Sequence, residues 1–217
     1  MNPILLSTAY FPPVSWIALA IQSGSINIEI QETYPKQTFR NRCTIATSSG
    51  LLNLTVSVKK VNGNHTKTCD IQIDNSRNWQ LLHWRSIVTA YNKTPFFLYY
   101  RDNFEPIFLK KQQSLVTLNT EILECILLSL RVKNIDIQYT TEYALKPDYY
   151  DLRNSFHPKV KTGKEITYIL PRYIQAFEEK YGYITDLSII DLLFNLGPDT
   201  LPYLAKVEFS FKEQINE

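Results

Sequence analysis

The run Tyr34-Pro35-Lys36-Gln37-Thr38-Phe39-Arg40-Asn41-Arg42-Cys43 packs three cations into one short stretch. In an extended chain alternate side chains share a face. Lys36, Thr38, Arg40 and Arg42 then line one side, and Gln37, Phe39, Asn41 and Cys43 the other. Like charges in a row repel unless carboxylates or an anionic ligand stand opposite. The chemistry open to such a row is oxyanion binding, with arginine favoured for its planar, two-pronged fork. The plain alternative is the solvated face of an antiparallel strand, where charges are ordinary.

A second constellation is Asp148-Tyr149-Tyr150-Asp151-Leu152-Arg153-Asn154-Ser155-Phe156-His157-Pro158-Lys159. His157 has an ordinary pKa near neutrality and suits acid-base work, with Asp151 or Asp148 to orient it and Arg153 and Lys159 as further cations. The alternative is a surface loop whose ion pairs are worth little. A third is the apolar helix Asp186 to Asn195, interrupted by Ser188, Asp191 and Asn195 along one line. A carboxylate in apolar company needs partners. An arginine of the basic run is the economical one, and Asp191 then orients the basic face. Alternatively Ser188 and Asp191 form a capping box, which leaves Asn195 unexplained. His83, beside Trp79 on a helix face, reads as structural, and His65 falls in a turn.

The elements that must position these groups follow from the apolar pattern. Ile4 to Tyr10 reads as a buried strand, ended by Phe11-Pro12-Pro13, with Pro13 opening a helix that Gly24 stops. Ser25 to Ile30 alternates as the next strand. A strand, turn, helix and strand in this order build a parallel sheet, with ligand sites at the carboxyl ends. Cys43 to Ala46 and Leu51 to Val58 flank a Ser-Ser-Gly turn and read as a hairpin. Cys69 to Asp74 alternates as a strand. Helices are expected over about 78–91, with Trp84, Ile87, Val88 and Tyr91 as core stripe, over about 97–104, and over 120–130. Asp136 to Thr141 is the last expected strand. Residues 145–170 form a long polar segment without a period, of the kind that is functional or disordered. Short helices over 172–181 and 187–196 close the fold. The expected class is α/β, a mixed central sheet made from the N-terminal β-turn-α-β unit plus a hairpin and flanked by helices. It forms one domain over residues 1–207, with a loosely held tail at 208–217.

Composition narrows the function classes. The chain has 217 residues and a net charge of +2, too small to argue for nucleic acid. Its three cysteines are far apart and lack metal-ligand spacing, which points to a reducing compartment, no disulfide framework and no metal. No signal peptide and no membrane span are read, so a soluble cytoplasmic protein is expected. The 14 Tyr and 11 Phe put many hydroxyls at core edges or in polar grooves. There is no GxGxxG, nucleophile elbow or HExxH. With only 6 Gly, any anion is held by side chains, and no cofactor is expected.

Several of these motifs, taken together, resemble the WbqC-like proteins of bacteria, in the short form frequent among Bacteroidetes. They are Tyr10-Phe11-Pro12-Pro13, Tyr34 with the basic run, Leu54-Thr55-Val56-Ser57-Val58, and Ala90-Tyr91-Asn92-Lys93-Thr94-Pro95-Phe96-Phe97. Tyr139-Thr140-Thr141-Glu142-Tyr143, Asp151-Leu152-Arg153 with His157-Pro158-Lys159, and Leu187 to Asn195 complete the set. The resemblance implies a role in surface-polysaccharide (O-antigen type) biosynthesis, making or modifying nucleotide-linked sugars. Longer relatives carry a Gly-Tyr or Gly-His pair after the opening proline, where this chain reads Val14-Ser15-Trp16. No histidine precedes His65, which speaks against nucleotidyl transfer by motif histidines. The expectation is a transferase using a nucleotide sugar or acyl donor, with Asp151, His157 and Asp191 catalytic. Tyr10, Lys36, Arg40, Asn41, Arg42, Arg153, Lys159 and Asn195 bind the small anionic substrate. The alternative is a non-catalytic binding or scaffold protein of a glycan-assembly system, marked by an exposed aromatic patch around Phe96, Phe97, Tyr99 and Tyr100.

Overall fold

The computed structural model describes residues 4–158 and 165–212. Ile4–Ser7 (β1) is buried throughout. Its ladder ends at Ser7, ahead of the two prolines, which lack the N–H a ladder needs. Phe11 turns the chain at φ +42, a left-handed value that a bulky residue keeps only where its surroundings hold it. The hold is visible: its ring stacks on Phe108 at 5.9 Å and its carbonyl accepts from Ser188 Oγ at 2.9 Å. Val14–Ser23 (α1) follows and ends at Gly24, φ +69, where no Cβ stands in the way. Ser25–Glu29 (β2) then pairs parallel with β1, Ile4 opposite Ile26 through Ser7 opposite Glu29.

Arg42–Thr47 (β3) and Gly50–Thr55 (β4) form the expected hairpin, as a two-stranded sheet of its own. Val58–Lys59 (β5) and Gln72–Ile73 (β6) make another short antiparallel pair. Trp79–Tyr91 (α2), Phe97–Leu109 (α3) and Leu115–Ser129 (α4) pack in sequence, α4 opened by the Ser114 hydroxyl accepting from Thr117 N. Asp136–Tyr139 (β7) and Tyr150–Asp151 (β8) complete the central sheet. Its order is β7-β2-β1-β8 and every pairing is parallel. Ile4, Leu6, Ile26 and Ile28 face the main hydrophobic cluster. The opposite face carries Leu5, Asn27 and Gln138 in one register row.

Ile166–Ile169 (β9), Glu178–Tyr181 (α5), Ile189–Leu196 (α6), Thr200–Leu204 (α7) and Glu208–Phe211 (β10) finish the chain. The α/β class is as expected, with a wholly parallel centre. Among its described residues the polar segment over 145–170 contains two strands, too short for a period to show: β8 seats on β1, and β9 pairs antiparallel with β10. The strand β10 lies within the stretch expected as a tail; residues 213–217 are outside the described residues. Of the helix expected over 172–181 only α5 is helical.

Candidate functional site

The chain runs from β1 through β2 to β7 on one side, then crosses back to place β8 on the other side of β1. Where strand order reverses in a parallel sheet, loops diverge at the carboxyl ends and leave a crevice. Those ends bear Ser7 and Thr8, Glu29, Thr140, and Asp151 with Arg153. All but Thr140 and Asp151 are at least nine-tenths buried, so their polar groups must pair with one another.

They do so as a connected network. Arg153 Nη1 donates to Glu29 Oε2 at 3.1 Å, and its Nε and Nη2 donate to the two oxygens of Asp151 at 2.9 and 2.6 Å. The Tyr143 ring lies over the guanidinium at 4.8 Å. Glu29 Oε1 accepts from Thr140 Oγ1 and the Gln31 amide. Arg40, 1% exposed, donates from Nε to Glu32 at 2.6 Å and from Nη2 to the Arg153 carbonyl at 3.3 Å. Burial pushes the Glu32 carboxyl up from its ordinary value, against the pull of Arg40. The Asp151 fork holds Arg153 all the more firmly protonated. Asn119 ties in by donating to Thr8 Oγ1 and the Arg40 carbonyl.

The basic run therefore does not form one cationic face. Gln37 sits at φ +62, which breaks the alternation, and the strand begins only at Arg42. Lys36 is exposed, Arg40 is buried and Arg42 half-buried. The counter-charge of Arg40 is Glu32 rather than Asp191. Asn41 donates to the Val56 carbonyl, pinning the run to the hairpin. Glu29 and Glu32 were not singled out in the sequence. The signal for Glu29 was there, since Ser25, Asn27 and Glu29 put polar groups on one face of a strand whose other face is Ile26 and Ile28.

The other expected residues lie elsewhere. Asp191, fully buried, accepts from Tyr91 Oη at 2.8 Å, Tyr173 Oη at 2.7 Å and Asn195 Nδ2 at 3.3 Å. Burial lifts its pKa to about 6, against those three donors. Two tyrosines thus fill the part that an arginine of the run was expected to play, and Ser188 spends its hydroxyl on Phe11 rather than on a cap. Tyr10 shares a 2.8 Å hydrogen bond with His83, whose pKa burial lowers to about 4. His157 lines a 360 Å³ cavity with Phe39, Tyr168 and Asp186. Asp186 seals the amino end of α1: its carboxylate accepts from Ser15 N at 2.9 Å and Ser15 Oγ at 2.8 Å. Lys159 lies outside the described residues. In the expected aromatic patch Phe97 and Tyr100 are buried, while Tyr99 is 64% exposed.

Beside the network, the loop joining β7 to β8 and the polar face of the sheet line an open cavity of about 400 Å³. Asn27, Glu29, Gln138 and Thr140 line its floor, with Lys146 and Tyr149 from the loop. The Asn27 amide makes no hydrogen bond to any described residue. Among the described residues no group of three or more His, Cys, Asp or Glu could hold a metal ion, and no helix is long and apolar enough to cross a membrane.

Comparison with known proteins agrees in extent with this architecture. A protein of Mycobacterium tuberculosis (strain ATCC 25618 / H37Rv), described as uncharacterized protein Rv1507c, is 28% identical over 197 residues, covering 79% of this chain and 83% of the relative. No solved structure matches. The model of the WbqC-like protein family matches residues 8–152, from the carboxyl end of β1 to the residue after β8. Every strand end that builds the network falls within or beside that span, and the chain belongs to the WbqC-like protein family.

Proposed function

We propose that this protein is a transferase of surface-polysaccharide assembly, of the O-antigen type, that takes the sugar of an activated donor at the carboxyl ends of its parallel strands. The supporting observation is the cavity under the β7–β8 loop, floored by Asn27, Glu29, Gln138 and Thr140. Planar amides and carboxylates answer sugar hydroxyls with fixed donors and acceptors, and a tyrosine offers a ring face. Three carboxylates against two guanidiniums leave the network with an excess negative charge, which suits the uncharged, hydroxyl-rich part of a donor. The amino end of α1, where a phosphate settles in many βαβ folds, is filled by the chain's own Asp186. In this reading Arg153 holds Glu29 in place, and Asp151 holds Arg153.

A panel of nucleotide sugars and acyl donors, screened by thermal shift, tests the reading. Saturation at 100 times Kd stabilises by about 2.7 kcal/mol, or about 5 to 10 °C for a chain of this size. A nucleotide sugar should give that shift, and Asn27→Leu should abolish it without lowering the ligand-free melting temperature. No shift with any sugar donor, or a shift indifferent to Asn27→Leu, overturns the reading.

A second reading, binding without catalysis, is favoured by one observation. Asp151 and Asp191 have separate partners, and His157 lines a cavity that includes neither of them. Release of the nucleotide or acyl carrier in the presence of an acceptor glycan separates the two.

A further inference from the structure

Of the cations in the basic run, Arg42 alone is half-buried and has no acceptor among the described residues. Its Nε is sealed from solvent and hydrogen-bonded to no described residue. A dehydrated N–H without a partner is a standing cost that proteins rarely carry. Arg42 opens β3 opposite Thr55, and its charge acts on the Tyr34 hydroxyl. The Tyr34 ring is 4% exposed, and its hydroxyl makes no hydrogen bond to a described residue. Burial pushes that hydroxyl up to about 12, while Arg40 and Arg42 draw it back, so it stays a proton donor within the field of both guanidiniums. Lys60 stands over the Tyr34 ring, its Nζ 5.5 Å from the centroid. Lys60 makes no ion pair with any described residue. Arg40, in contrast, is closed off by Glu32.

We infer that Arg42, Lys60 and the Tyr34 hydroxyl form an oxyanion site that takes a phosphoryl group. Each supplies what such a ligand needs: a fork for two oxygens, a mobile ammonium charge and a neutral O–H donor. An anion bound by the fork would give Nε the acceptor it lacks. The site is separate from the cavity under the β7–β8 loop and holds its anion whether or not that cavity takes a sugar.

Calorimetric titration of the full chain with inorganic pyrophosphate at low ionic strength is the test. The expected result is saturable binding that weakens with added salt. Arg42→Gln should weaken it about tenfold or more, and Arg42→Lys should recover little, because lysine lacks the fork. Lys60→Gln should cost about three- to tenfold, and Tyr34→Phe somewhat less. Lys133→Gln, ahead of β7 at the amino edge of the sheet, should change nothing. Citrate, titrated in parallel, separates a phosphoryl site from a carboxylate site. Should Arg42→Gln fail to fold, Lys60→Gln and Tyr34→Phe carry the same comparison. The inference is overturned by no pyrophosphate binding, by tighter binding of citrate, by Lys60→Gln leaving affinity unchanged, or by an equal loss in Lys133→Gln.

Discussion

Arg40 and Arg42 stand two positions apart and do different jobs. Arg40 is sealed against Glu32, and removing one member of a buried pair leaves the other charge stranded. Arg40→Ala should therefore cost about 3 to 5 kcal/mol in urea unfolding, whereas Arg42→Gln should fall within about 0.5 kcal/mol of the parent. Asp191 supplies a second prediction. Its folded pKa of about 6 lies above its ordinary value, so the folded state binds a proton that the unfolded state has released. Its contribution to stability is full below about pH 4 and lost as pH rises through about 6. Asp191→Asn should flatten that part of a urea-midpoint profile, and an unchanged slope counts against the assignment. The sequence showed the residue types of the site but not their pairing. Alternation assigned Arg40, Thr38 and Lys36 to one face, and a single left-handed residue, Gln37, undid it. No local pattern marks such a residue when it is not glycine. Glu32 was hidden for the same reason, since its partner lies across that turn.

At the scale of elements, what was periodic was legible and what was brief was not. β1, α1, β2 and α2 follow their apolar patterns, whereas β8 is two residues long and exists because β1 offers it a ladder. The helix α1 shows how far an element depends on distant chain. Its cap position is Pro13, which has no side-chain acceptor, and Asp186 supplies one from elsewhere. Asp186→Ala should cost about 1 to 2 kcal/mol, the worth of a lost cap, read as a lower melting temperature. Gly197, at the end of α6, should tolerate substitution worse. A Cβ there meets the Phe96 ring at 2.4 Å, and its φ is +56. Gly197→Ala should destabilise by several kcal/mol or fail to fold.

For the whole molecule, the deciding contact is β8 on β1. It closes the sheet between Ile4 and Tyr150 and brings Arg153 to Glu29 over 124 positions. A fragment ending at residue 146 keeps β1, β2 and β7, yet leaves Glu29 without its cation and β1 with an open edge. Such a fragment should lack cooperative unfolding by near-ultraviolet circular dichroism; a sharp transition would show that β8 is dispensable. The capping of α1 has a consequence in time as well. Ser15 is joined to Asp186 across 171 positions, and a ribosome adds about 5 to 20 residues per second. Some ten to thirty seconds pass, on the order of the synthesis time, between the emergence of the first helix and that of the carboxylate that completes it. The amino-terminal unit is thus made early and finished last, and the nascent chain depends through that interval on whatever shields its unclosed sheet.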